Sequence, residues 1–144
     1  MSQTIDANVL VYASNEDDPA TEAARAFVAR LAAGPDLVVL FWPVLIGYLR
    51  IATHPSIFAA PLAPAIAERN VESLLDRPHI RVVSELEGYW TTYRHVTGQT
   101  PVRGNLVSDA ALVALMRQHG VTTIWTRDRD LRKFDGITAR SPFD

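Results

Sequence analysis

Apolar and polar residues follow two rhythms along this chain: short continuous apolar runs, and longer stretches with helical spacing. Thr4-Ile5 is a brief lead-in that ends at Asp6, and an apolar helical pattern starts at once with Ala7 and Val9 to Ala13. An acidic loop, Asn15-Glu16-Asp17-Asp18-Pro19, follows. Residues 21–33 read as an amphipathic helix, with Ala24, Phe27, Val28 and Leu31 on one face and Glu22, Arg25 and Arg30 off it. Gly34-Pro35 ends that helix. The uninterrupted run at 37–41, Leu-Val-Val-Leu-Phe, suits a strand covered on both faces, as in a parallel sheet.

Pro43 opens a helix to about residue 53, which stops before His54-Pro55. A loop over 55–64 carries Pro55, Pro61 and Pro64. Residues 65–76 form a further helix with Val71, Leu74 and Leu75 inward, and Pro78 stops it. Residues 80–83 are a short strand. Residues 86–96 are helical, with Tyr89, Trp90, Tyr93 and Val96 assigned to one face, and 98–104 are a loop. Residues 106–119 form a helix closed by Gly120, a favoured terminator. Residues 122–126 are a strand, 127–135 are charged, and a last short strand falls near 137–139. Strands alternating with helices predict an α/β fold: three layers around a central, mostly parallel sheet of four to five strands flanked by helices.

Composition narrows the possibilities. A chain of 144 residues fits one domain with a real core. The absence of cysteine removes disulfides, thiolate metal sites and cysteine nucleophiles together. No basic region followed by an apolar one opens the chain, and no apolar run approaches the roughly 20 residues needed to span a bilayer. A cytoplasmic location away from any membrane is the expectation. The net charge of −2 argues mildly against indiscriminate grip on nucleic acid.

Three places put an aspartate beside a strand end or a helix start on what should be one edge of the sheet: Asp6, Asp109 in Ser108-Asp109-Ala110-Ala111, and Asp128 with Asp130 directly after the 122–126 strand. Converging carboxylates suit hard divalent cations such as Mg²⁺ or Mn²⁺. Each acid also has a plainer reading. Asp6 is a good helix N-cap, Asp109 gains from a helix dipole, and Asp128 and Asp130 sit among Arg127, Arg129, Arg132 and Lys133 in what reads equally well as a solvated loop. Asp109 is the sharpest case, since it lies in an apolar stretch where a charge is costly unless paired or metal-bound.

Four segments together resemble the PIN-domain family, and within it the VapC-type toxins of bacterial toxin–antitoxin pairs. They are IDANVLVYA from Ile5, FWPVLIGYLRIATHPSIF from Phe41, NLVSDAALVALMRQHG from Asn105 and IWTRDRDLRKF from Ile124. The likeness covers nearly the whole chain. It implies a Mg²⁺- or Mn²⁺-dependent ribonuclease, a cognate antitoxin protein as inhibitor, and a homodimer. By this analogy Asp6, Asp109 and Asp128 hold the metal, and a metal-activated water attacks an RNA phosphodiester. Asn8, Asn105, Ser108, Thr126 and Asp130 are further candidates for supporting the ligands or facing the substrate.

One position departs from the pattern. Many family members carry a glutamate on the helix after the second strand, and Gly47 stands at the aligned position here. Three accounts follow: three aspartates suffice, another acid such as Glu16, Asp17 or Asp18 reaches in, or the site is weakened and the protein binds RNA or antitoxin without efficient cleavage. His54, His79, His95 and His119 share no metal-ligand spacing. Neither a phosphate-cradling glycine loop nor a nucleophile elbow occurs.

Overall fold

A computed structural model describes residues 2–143. The elements run β1 (Gln3–Ile5), α1 (Ala7–Ser14), α2 (Thr21–Ala33), β2 (Val38–Phe41), α3 (Trp42–Ala52), α4 (Pro64–Leu75), β3 (Ile80–Val83), α5 (Tyr89–Gln99), α6 (Leu106–Gln118), β4 (Thr123–Trp125), a 3₁₀ turn (Arg129–Lys133) and β5 (Thr138–Arg140). The five strands make one sheet in the order β3-β2-β1-β4-β5, and every pairing is parallel.

Strand β2 explains the layering. All four of its residues are buried, and successive side chains point to opposite faces of a strand. Val38 and Leu40 join a core with Val9, Leu10, Phe27, Leu45 and Val71 from α1 to α4. Val39 and Phe41 join a second core with Val96 of α5 and Val113 and Met116 of α6. Helices therefore cover both faces, the expected three layers, and the sheet is wholly parallel.

The order of the strands locates a crevice. The chain moves outward from β1 through β2 to β3, then returns to the other side of β1 for β4 and β5. The direction of winding reverses between β1 and β4. In open α/β sheets the ligand crevice lies outside the carboxyl ends of the strands at such a reversal. Ile5 and Trp125 are paired at this point, and the Asp6 amide donates to the Trp125 carbonyl at 3.0 Å. Asp6 and Thr126 consequently leave the sheet side by side.

The expected helix at 86–96 is displaced. Gly88 has φ +82°, a left-handed conformation that does not continue a helix, and α5 runs from Tyr89 through Gly98 to Gln99. Gln118 of α6 holds the preceding segment extended: its side chain accepts from the Leu86 amide at 2.9 Å and donates to the carbonyls of Leu86 at 3.1 Å and Glu87 at 3.3 Å. The aromatic face also divides. Tyr89 and Tyr93 pack against the second core, whereas Trp90 is 66% exposed and stacks on Tyr93. Adjacent residues on a helix lie about 100° apart, so Tyr89 and Trp90 cannot both face inward.

Candidate metal centre

The site is assembled from three chain segments, two of which leave the sheet at its winding reversal. Asp6 follows β1 at the N-cap position of α1, yet its side chain makes no capping hydrogen bond. Its Oδ2 instead accepts from the Thr126 hydroxyl at 2.9 Å. The capping role is therefore not what holds this carboxylate. Thr126 is 4% exposed, and each capacity of its hydroxyl is used. It donates to Asp6, and it accepts from the Asp128 amide at 2.9 Å and from the Asn8 side-chain amide at 3.4 Å. One buried hydroxyl thus couples the end of β1, the first turn of α1 and the loop after β4.

Asp128 in turn caps the 3₁₀ turn, its Oδ1 accepting from the Asp130 amide at 2.9 Å. That local bond turns Asp130 back toward the sheet edge. One carboxylate oxygen from each of Asp109, Asp128 and Asp130 lies within 4.8 Å of the others. Lys133 reaches back along the same turn to Asp130 at 3.1 Å. Asp109 enters from the first turn of α6.

The electrostatics record the crowding. Burial pushes the Asp109 carboxyl up to about 6, and the charges of Asp128, Asp6 and Asp130 push the same way, with Lys133 opposing. Burial also raises the Asp6 carboxyl. The Thr126 hydroxyl and the amides of Ala7 and Asn8, which face the carboxylate without capping geometry, oppose it in part. Asp6 lies outside the tight group of three but acts on it through its charge.

Like charges held at this separation are unfavourable without a cation, and the donors are all oxygen, the preference of hard divalent ions. Oxygens gathered within 4.8 Å of one another are close enough to be shared by one such ion. Asn8 offers a further feature: its side-chain oxygen is buried without a hydrogen-bond partner among the described residues, while its amide nitrogen turns to Thr126.

The candidates divide. Asn8, Thr126 and Asp130 gather with the acids. Asn105 and Ser108 are exposed at the start of α6 and make no hydrogen bond to them. Glu16, Asp17 and Asp18 lie beyond the far end of α1, where Glu16 faces Arg25 at 3.8 Å and Asp18 accepts from the Ala20 amide. The eight residues of α1 span about 12 Å, which keeps these acids from replacing a carboxylate at position 47. At Gly47 an added Cβ would touch only the Ala7 side chain, at 3.9 Å. That places the position beside the residue after Asp6, with room for a side chain. Lys133, read from the sequence as one of the basic residues around these acids, is the one that pairs with Asp130.

Comparison with known proteins agrees with this architecture. The family model described as the PIN domain matches residues 4–137. Ribonuclease VapC48 of Mycobacterium tuberculosis is 53% identical over 143 residues, covering 99% of both chains. Among solved structures, Mycobacterium tuberculosis VapC20, described as a sarcin-ricin loop cleaving toxin, superposes with a TM-score of 0.67 at 18% identity, covering 90% of this chain and 92% of that one. A toxin–antitoxin complex from Klebsiella pneumoniae gives a TM-score of 0.64 at 14% identity, over 99% and 98% of the chains. At those identities the two structures speak for the fold, while the family model and the full-length likeness to VapC48 speak for descent: the chain belongs to the PIN-domain family, in its VapC group.

Proposed function

We propose that this protein is the ribonuclease toxin of a toxin–antitoxin pair, hydrolysing RNA phosphodiester bonds with a divalent cation, Mg²⁺ or Mn²⁺, held by Asp6, Asp109 and Asp128. The observation that carries the reading is the meeting of carboxylates from separate segments at the carboxyl edge of a parallel sheet. The relatives' names point the same way. When bound, the cation supplies an activated water and stabilises charge on the phosphoryl group.

The chain's own residues prepare the place for it. Asp109 and Asp128 present oxygens at ligand spacing, and Asp130 joins them from the 3₁₀ turn. Asp130 thus adds a carboxylate to a site where Gly47 supplies no side chain. Thr126 orients Asp6 and braces the Asp128 backbone in one bonded unit. Lys133 offsets part of the negative charge, so the acids tolerate one another before a cation arrives.

The protein partner in this reading is an antitoxin. A groove of about 680 Å³ runs between α1, α2, α3 and α4. Its walls include Leu10, Val28, Leu62 and Val71, with Tyr48 and Asn70 hydrogen bonded at 3.0 Å. That mix suits an apolar peptide segment carrying a few polar anchors. Trp42 and Ile46, one turn apart on α3, are 44% and 57% exposed and suit the homodimer contact.

The test is cleavage of structured RNA by purified protein with Mg²⁺ or Mn²⁺ against EDTA. Metal-dependent cleavage that Asp6→Ala and Asp109→Ala abolish supports the nuclease. A second reading, a weakened domain that binds RNA or antitoxin without efficient cleavage, is favoured by Gly47. Binding without cleavage, indifferent to both substitutions, would establish it instead.

A further inference from the structure

A second cavity lies against the acids and has a different chemistry. It holds about 300 Å³, and Asp128 lines it together with Arg127, Arg129, Arg132, Ser141 and Phe143 among others. The segment 127–133 carries four basic and two acidic side chains in a protein of net charge −2. This is therefore a local reversal of sign next to a carboxylate cluster.

The basic residues are not equivalent. Lys133 is committed to Asp130 at 3.1 Å. The Arg127 guanidinium lies over two aromatic rings, 5.2 Å from the centre of Tyr12 and 5.6 Å from that of Phe143. Stacking of this kind holds it as a wall of the cavity. Arg129 and Arg132 are exposed on the lip, and among the described residues neither pairs with a carboxylate nor donates a hydrogen bond to the protein. Both sit on the short 3₁₀ turn that Asp128 caps and that Leu131, fully buried, anchors in the core. Two guanidinium groups are thus carried on a fixed support beside the acids, with their donors unspent.

The geometry points to a phosphate-binding subsite for the substrate strand: Arg129 and Arg132 take a backbone phosphate next to the scissile one while the scissile phosphate faces the aspartates. The inference rests on the nuclease reading for the identity of the strand. Guanidinium matches phosphate oxygens in a two-pronged contact that lysine cannot make. Cationic side chains beside the acids serve a bound strand, because the carboxylates repel its phosphates and the guanidinium groups offset that repulsion. The same lip would also attract an acidic protein segment. RNA is favoured because the cavity opens directly on Asp128, where a bound strand must continue.

The test separates binding from cleavage. A 12-nucleotide unstructured single-stranded RNA is titrated by fluorescence anisotropy in EDTA, with salt varied from 50 to 200 mM. Wild type is compared with Arg129→Ala/Arg132→Ala and with a control, Arg69→Ala/Arg81→Ala, which removes the same charge from α4 and from the opposite edge strand β3. Each phosphate contact to a single strand contributes about 0.7 to the slope of log affinity on log salt. The lip double variant should lose about 0.7 of slope, for the one phosphate contact, and roughly fivefold in affinity at 100 mM salt, and the control should stay near wild type. Equal losses in both double variants, or none in either, would overturn the subsite. So would retained RNA binding with loss of binding to an acidic protein partner. If wild type fails to cleave with Mn²⁺ yet the lip variant alone loses RNA, the subsite stands and the nuclease reading falls. If wild type cleaves and the lip variant binds and cleaves equally well, the reverse holds.

Discussion

Asp109→Asn should make the metal-free protein more stable while disabling it. The Asp109 carboxyl, ordinarily near 3.8, stands at about 6 in the fold, first because of burial and then because of Asp128, Asp6 and Asp130. A group whose pKa is raised by folding binds more protons in the native state than in the unfolded one, between those two values. The native state is therefore penalised as pH climbs through that window. The penalty is absent below about pH 3.8 and complete above about pH 6. At about 1.36 kcal/mol per pH unit this amounts to at most about 3 kcal/mol. Solvent reaches part of the side chain and screens it, so about 1 to 2 kcal/mol is the reasonable share. Asparagine keeps the shape, removes the charge, and forgoes about 0.3 to 1 kcal/mol of favourable contact with the α6 dipole. The net gain is on the order of 1 kcal/mol, or about 3 °C in Tm for a chain of this size. Thermal melts in EDTA at pH 7.5 should show it, and the gain should vanish near pH 4, where both side chains are neutral. Adding Mn²⁺ should raise the Tm of the wild type, as any ligand of the native state does, and raise the variant much less. A variant that melts below wild type in EDTA at pH 7.5, with an unchanged pH profile, would refute the claim that Asp109 is held in repulsive surroundings.

Other outcomes follow from the same geometry. Metal affinity should fall as pH drops through about 6, because Asp109 must release its proton to bind; calorimetric titration with Mn²⁺ at pH 5.5 and 7.5 measures it. Thr126→Val strips the Asp6 carboxylate, the Asp128 amide and the Asn8 side chain of a shared partner. It should cost about 1 to 3 kcal/mol in denaturant unfolding and 10- to 100-fold in metal affinity, with Thr126→Ser restoring most of both. Gly47→Glu should fold, gain up to about 1 kcal/mol from improved helix propensity, and leave cleavage unchanged or faster. A large loss of metal-dependent cleavage in that variant would place Gly47 away from the site.

The limits of reading the chain in one dimension show at particular residues. Asp6, Asp109 and Asp128 stand out as candidates because each falls at the end of, just after, or inside an apolar segment, and Asp130 because it shares the charged stretch after the 122–126 strand with Asp128. The rank among these acids was not recognisable. Asp130 joins Asp109 and Asp128 at ligand distance because the Asp128 side chain captures the Asp130 amide, a turn that sequence spacing permits without requiring. The helix expected at 86–96 begins at Tyr89 instead, because Gln118, more than thirty residues away, holds Leu86 and Glu87 in an extended shape. A contact of that range leaves no local mark.

By itself, the order of apolar and polar residues determined the alternation of strands and helices, the burial of β2 on both faces, and the presence of isolated acids at strand ends. These follow from local periodicity and from the cost of leaving apolar side chains in water. Only the tertiary structure decided that β4 returns beside β1. That pairing sets Thr126 against Asp6 across a separation of 120 residues and converts separate acids into one charged cluster. Strand order depends on how two cores close around a sheet, which no short stretch of sequence encodes. Sequence alone places Arg129 and Arg132 near Asp128, while the burial of Leu131 on the same turn fixes the support that carries them.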